Sequence, residues 1–265
     1  MRKKILILFA VLVMMAATAI PAAAITWGEP DTEHTNVGAM VVDWPGYGPF
    51  QVCSGTLIHP RVFLTAGHCT EGWGPEFETF WVNFDQNALN TKTLLEVEQV
   101  IPHPDYWWGP QSNPHDVGVL ILAKKVKRIK PANLPKVSFL DELIKEGKLH
   151  QGSDGAKFTL VGYGGTLDWP PPVITYDDYR QFSTSEYQTL LKSWLRISQN
   201  QATGDGGTCA GDSGGPAFWT KDDGSEVLVG ITSWGDTNCI ASGFNYRVDI
   251  PDTLYFIASV IADLD

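Results

Sequence analysis

Short apolar runs recur along the chain, some alternating with polar residues and some continuous, each bounded by Gly, Pro, Asn or Asp. Segments 37–42, 53–58, 62–66, 80–84, 94–101 and 117–122 read in this way as strands with one or both faces buried. A second series follows at 158–162, 194–198, 216–219, 227–234 and 244–248. After Lys124 the composition turns basic and proline-containing (KKVKRIKPANLPKV), which suits a linker between the two series. Two sets of roughly six short strands predict two small barrels rather than one large sandwich.

Two segments carry helical spacing. At 251–264, Leu254, Ile257, Ala258, Ile261 and Leu264 share a face and Pro251 stands near the start. The other, 183–194, reads as a helix or a long surface excursion. Residues 165–180, with consecutive prolines at 170–172 and acids at Asp177 and Asp178, read as a loop.

Composition narrows the class. With 43% hydrophobic and only 18% charged residues among 265, the chain holds enough apolar surface to offset the entropy of ordering, which excludes intrinsic disorder. Its 26 glycines and 17 prolines follow no collagen-like period and favour a turn-rich, all-β chain.

The first residues change the compartment. Arg2, Lys3 and Lys4 precede an apolar run to Ile20, and Ala22-Ala23-Ala24 offers a small-x-small cleavage pattern, so 1–24 reads as a secretory signal peptide. The run is shorter than the roughly 20 residues a membrane span needs. A secreted protein with no membrane attachment after signal removal is therefore expected. The formal charge of −11 repels phosphate backbones, so nucleic-acid partners are not expected either. In an oxidising compartment the four cysteines, Cys53, Cys69, Cys209 and Cys239, are expected to pair. Three connectivities are possible, and the grouping into two early and two late favours Cys53–Cys69 and Cys209–Cys239. No Cys-x-x-Cys pair supports a zinc site, and no metal or cofactor is expected.

Candidate chemistry gathers in three segments. Thr208 to Pro216 reads TCAGDSGGP, in which glycines around Ser213 let a substrate backbone approach its hydroxyl and let main-chain N–H groups face a developing oxyanion. Residues 211–215 also satisfy the G-x-S-x-G nucleophile elbow of α/β-hydrolases, but there the base lies downstream of the serine. All six histidines lie upstream, so that reading fails. The second segment, LTAGHC at 64–69, ends a strand with His68 beside a cysteine that can anchor it. The third, HDVGVL at 115–120, brings Asp116 into an apolar strand, where a buried carboxylate needs a partner such as a histidine N–H.

TAGHC, DVGVL and GDSGGP, in that order, resemble the trypsin-like (chymotrypsin-fold) serine peptidases, from about Ile25 to the C-terminal helix. The resemblance implies two six-stranded antiparallel β-barrels and a C-terminal α-helix. It divides the chain into a first barrel at about 25–127, a linker at 128–137, a second barrel at 138–250 and a helix at 251–265. It implies Ser213 as nucleophile, His68 as general base and then acid, Asp116 as the group orienting the imidazole, and the N–H groups of Gly211 and Ser213 as the oxyanion hole. A monomer acting on polypeptides is expected. Gly207, Ser233, Trp234, Gly235 and Gly243 would line the substrate pocket. An acid-free base at Gly207 and small walls at Gly235 and Gly243 imply a large apolar residue before the scissile bond, with Asp236 near the rim. Signal cleavage would free Ile25, whose amine would then pair with Asp212. Having only two disulfides looks like a bacterial-type secreted member. His115 reads as a surface residue, and His34, His59, His103 and His150 take no role. The alternative is a catalytically silent peptidase-fold protein that binds a partner.

Overall fold

The computed structural model describes residues 25–264 except Pro45, 74–76, Glu78, Trp108, 110–111, Ser153 and 169–172. The expected signal peptide, 1–24, lies outside the described residues. After a short β1 (Glu29–Pro30), the strands β2 (Val37–Trp44), β3 (Gly48–His59), β4 (Val62–Thr65), β5 (Phe80–Asn83), β6 (Leu95–Pro102) and β7 (Gly118–Leu122) form the first barrel. It closes in the order β2-β3-β4-β7-β6-β5, so every strand has two neighbours and no edge is left open. Val37, Ala39, Met40 and Val41 of β2 are all fully buried and share a core with Leu57, Val82, Val119 and Ile121.

The second half contributes α1 (Phe139–Lys145), β8 (Lys157–Gly162), β9 (Thr166–Asp168), β10 (Val173–Thr175), β11 (Gln181–Leu190), β12 (Trp194–Ser198), β13 (Pro216–Thr220), β14 (Glu226–Gly235), β15 (Ser242–Arg247) and α2 (Pro251–Ala262). Its six-stranded barrel runs β11-β12-β15-β14-β13-β8 and closes through the pairing of β8 with β11. β1 adds to the outside of β11, so the N-terminal segment is stitched to the second barrel. The fold is all-β, two six-stranded antiparallel barrels with a C-terminal helix.

Segment 183–194 is not a helix. Six register pairs with β8, from Gln181↔Gly162 to Glu186↔Lys157, make it the strand that closes the second barrel. Its inward face is Gln181, Ser183 and Ser185, small and polar, so the period of two is invisible to a hydrophobic pattern. The apolar residues that suggested a helix, such as Leu190 and Trp194, flank the turn into β12. Within 165–180, expected as loop, β9 and β10 form a hairpin. The short α1 is an addition: Leu140 and Leu143 face the second barrel, and Leu140 N–H is capped by Asp249 at 2.8 Å.

The basic segment 124–137 holds no strand or helix but ties both halves together. Ala132 N–H donates to Leu57 O and Leu228 N–H to Asn133 O, each in a different barrel. Phe256, Ile257 and Val260 of α2 join the core that the first barrel shares with Tyr163, Phe218 and Tyr246 of the second. The candidate site lies where these two barrels meet.

Candidate active site

His68 stands on a single 3-10 turn, Gly67–Cys69, that leaves β4. Gly67 is needed there because a Cβ would sit 2.6 Å from the Tyr106 ring. Thr70 Oγ1 closes the turn on Gly67 O at 2.6 Å, and the Cys53–Cys69 disulfide fastens it to β3. Asp116 precedes β7, fully buried, and comes from the neighbouring strand pairing of β4 with β7. Its carboxylate accepts from His68 twice: the backbone N–H at 2.9 Å and Nδ1 at 3.0 Å. Ser233 of β14 donates to the same carboxylate, which links both barrels at this point. Burial alone would raise the Asp116 pKa, but the His68 and Ser233 hydrogen bonds outweigh it and hold the group below the usual carboxylate range.

Ser213 arrives from the second barrel, half-buried, on the turn between Thr208 and β13. Its carbonyl accepts Ser54 N–H at 2.7 Å, and Gly214, at φ +84°, lies flush against Thr65, Ser54 and Ala66. A side chain at 214 would run into all three, so glycine is obligatory where this turn presses on the strand leading to His68. Ala210 O accepts from Gly165 N–H at 2.8 Å, and Gly211 O from Gln51 Nε2 at 2.8 Å and Ser54 Oγ at 3.0 Å. The two carbonyls are thus anchored in protein. Among the described residues neither the Gly211 nor the Ser213 N–H donates to a protein acceptor.

Asp212 is enclosed. Gly162 and Gly164 stand so close that no side chain fits at either, and Oδ1 and Oδ2 accept Gly164 and Cys209 N–H, each at 2.8 Å. Burial raises its pKa to about 8, with Asp177 pushing the same way against the two backbone donors. Ile25 is fully buried, and Thr26 beside it exchanges two backbone hydrogen bonds with Gly207 at 3.0 and 2.9 Å. Sequence reasoning missed Gly162 and Gly164, although GYGG at 162–165 marks a close approach.

The expected substrate-pocket residues assemble, with one unexpected occupant. Gly235 pairs with Gly243, and Trp234 stacks on Phe244 at 3.7 Å between centroids while remaining 45% exposed. Ser233 turns its hydroxyl to Asp116 rather than to the pocket. The space expected to be open between Gly207 and Gly243 is filled by the buried side chain of Gln199, just after β12. Asp236 spends its carboxylate on the N–H groups of Ile240, Ala241 and Ser242. The only signal for Gln199 in the sequence is the set of glycines that make room for it.

His115, expected at the surface, is half-buried and engaged on both sides. Its ring stacks on buried His103 at 4.8 Å, and its Nδ1 lies 2.6 Å from Asp252 Oδ2 on α2. His34 bridges Asp31 and Glu226, and buried Arg180 pairs with Asp31 at 2.9 Å. Two groups among the described residues bring metal-ligand atoms together: Cys53, His68 and Cys69, whose sulfurs are consumed in a disulfide, and His103, Asp105 and His115. In the latter His103 Nδ1 accepts Asp105 N–H at 3.1 Å, so that nitrogen is already engaged by protein. Both disulfides, Cys53–Cys69 and Cys209–Cys239, are formed. No helix among the described residues is long and apolar enough to cross a membrane.

A family model described as Trypsin matches residues 25–255. Over 203 residues, 73% of this chain, the sequence is 30% identical to a protein named inactive CLIP domain-containing serine protease A28 of Anopheles gambiae. It is 27% identical over 220 residues to the CLIP domain-containing serine protease B15 of the same mosquito. Aligned segments cover 51% and 55% of those two proteins, so the chain spans about half their length. A trypsin of Phaedon cochleariae is 28% identical over 74% of this chain and 76% of its own. These are insect proteins, and they lend no support to the bacterial-type origin read from two disulfides.

Proposed function

The chain belongs to the trypsin family, and from that premise we propose that it is a secreted serine endopeptidase working through an acyl-enzyme on Ser213. The observation that carries the reading is the double grip of Asp116 on His68 beside the turn that bears Ser213. With Nδ1 held by Asp116, Nε2 takes the Ser213 proton in this reading as Oγ attacks the scissile carbonyl. The oxyanion then meets the N–H groups of Gly211 and Ser213, which no protein acceptor uses among the described residues. His68 returns the proton to the leaving amine, and water repeats the cycle on the acyl-enzyme. No cofactor enters these steps.

In this reading the signal is removed before Ile25. The freed ammonium supplies a cation to buried Asp212, whose carboxylate among the described residues accepts only from backbone N–H groups. The substrate residue before the scissile bond is uncharged, because Gly207 brings no acid to the pocket base. The large apolar residue expected from the glycines needs volume that Gln199 occupies.

A silent, partner-binding protein is the second reading, favoured by likeness to a relative named as inactive. A serine-reactive fluorophosphonate separates the two: an endopeptidase is labelled at Ser213, and a silent protein is not.

A further inference from the structure

We propose that Gln199 sets the primary specificity, selecting a neutral, hydrogen-bond-donating side chain before the scissile bond, that of Asn, Gln or His. The inference rests on the endopeptidase reading and names the substrate class of that same site.

The pocket base is built from an unusual direction. A Cβ on Gly207 would meet Gln199 Cγ at 2.6 Å and Cβ and Cδ at 2.7 Å, and one on Gly243 would meet Nε2 at 3.0 Å. Gln199 therefore occupies the volume that a side chain at 207 would fill, and the glycines are what admit it. The residue is fully buried and held at its backbone, where its N–H donates to Ala241 O at 3.0 Å. Its amide orientation is fixed as well: Nε2 donates to Thr208 O at 2.9 Å, and the flipped amide would set two oxygens against each other. Among the described residues Oε1 is left as a buried acceptor without a hydrogen-bond partner, 3.6 Å from where a Gly235 Cβ would stand.

A buried acceptor left unsatisfied is costly, and a substrate that supplies the donor recovers that cost on binding. Phe or Leu offers no donor and competes with Gln199 for volume. Lys or Arg offers donors, but Gly207 has no side chain to meet their charge at the pocket base, and the Asp236 carboxylate is already engaged by the N–H groups of Ile240, Ala241 and Ser242. Asn, Gln and His donate from a neutral tip of intermediate length. Sites built to hydrogen-bond a substrate group discriminate strongly against analogues lacking it.

The test uses protein beginning at Ile25, its active fraction titrated with the fluorophosphonate, on fluorogenic peptides differing only in Asn, Gln, His, Phe, Leu or Arg before the cleaved bond. The expected result is a kcat/KM for the Asn, Gln and His set at least about tenfold above Phe, Leu and Arg. Gln199→Met, which keeps the volume and removes both polar groups, should abolish that ratio. Gln199→Ala, which opens the base, should shift preference to Phe and Leu. General structural damage would lower all six substrates together and leave the ratios alone. A labelled enzyme that prefers Phe, Leu or Arg, or whose profile neither variant changes, overturns the role of Gln199 alone. Absence of labelling at Ser213 overturns the endopeptidase reading and this inference with it.

Discussion

The Asp116 carboxylate holds His68 at two points, 2.9 Å from its backbone N–H and 3.0 Å from ring Nδ1, so position and tautomer of the imidazole depend on one buried acid. In Asp116→Asn an amide can donate to Nδ1 and leave the proton on Nε2, the nitrogen proposed to accept from Ser213. Turnover should fall about 10⁴-fold, the effect known for this exchange in a Ser-His-Asp arrangement, with folding intact. Steady-state kinetics alongside near-ultraviolet circular dichroism checks both halves.

Ser233 ties that carboxylate to the second barrel. Asp116 is held below its ordinary pKa, so it contributes stability that is present above about 3.8 and lost as pH falls through its folded value. Ser233→Ala removes a donor and narrows the shift. The variant should lose about 1–3 kcal/mol at neutral pH, and the difference from wild type should shrink in acid. Urea melts across the acid range measure it.

Asp212 gives a prediction of opposite sign. Its pKa in the uncut chain, raised to about 8 by burial, keeps the carboxyl largely neutral at pH 7. Protein beginning at Ile25 should pair an ionised Asp212 with the new ammonium. Its activity should persist below the pKa of that amine and disappear above it, before the barrels unfold. Protein retaining Ala24 should be far less active at every pH. Activity profiles of the two forms, with circular dichroism at each pH, decide the point.

Much of this arrangement was legible from residues alone, because the groups proposed to carry charge and proton transfer come in short contiguous motifs. His68, Asp116 and Ser213 each lie within three residues of a strand whose apolar run is plain in the sequence. Strand β11 was hidden because the residues it turns inward, Gln181, Ser183 and Ser185, are polar and leave no apolar alternation to read; Ser185 settles there by donating to Gly206 O at 2.7 Å. Gln199 was hidden for a different reason. It reaches the pocket from outside any motif, and only packing reveals that Gly207 and Gly243 are small for its sake.

His34 predicts an alkaline limb of stability. Burial would depress its pKa, but contacts with Asp31 and Glu226 outweigh it and raise the value to about 9. A raised histidine contributes stability fully present below its unfolded value of about 6.5 and lost as pH rises through about 9. His34→Gln should flatten the fall in Tm between pH 6.5 and 9.5, seen by thermal melts at matched ionic strength.

Gly164 stands 2.5 Å, at its imagined Cβ, from Asp212 N and 2.6 Å from Asp212 Cγ. Gly164→Ala has to push Asp212 aside. The account expects a loss of about 1–3 kcal/mol in stability and a larger relative loss of kcat, since the displaced acid carries the Gly211–Ser213 turn. Denaturant melts and single-turnover kinetics on the same preparation separate these effects.

Ser213, if it is a nucleophile activated by His68, reveals itself most directly in the mass of folded protein beginning at Ile25 after exposure to a fluorophosphonate, with the adduct mapped by peptide analysis. A single adduct on Ser213 is expected, formed orders of magnitude more slowly in His68→Ala. Folded protein that remains unmodified at Ser213, or reacts there equally fast without His68, would contradict it.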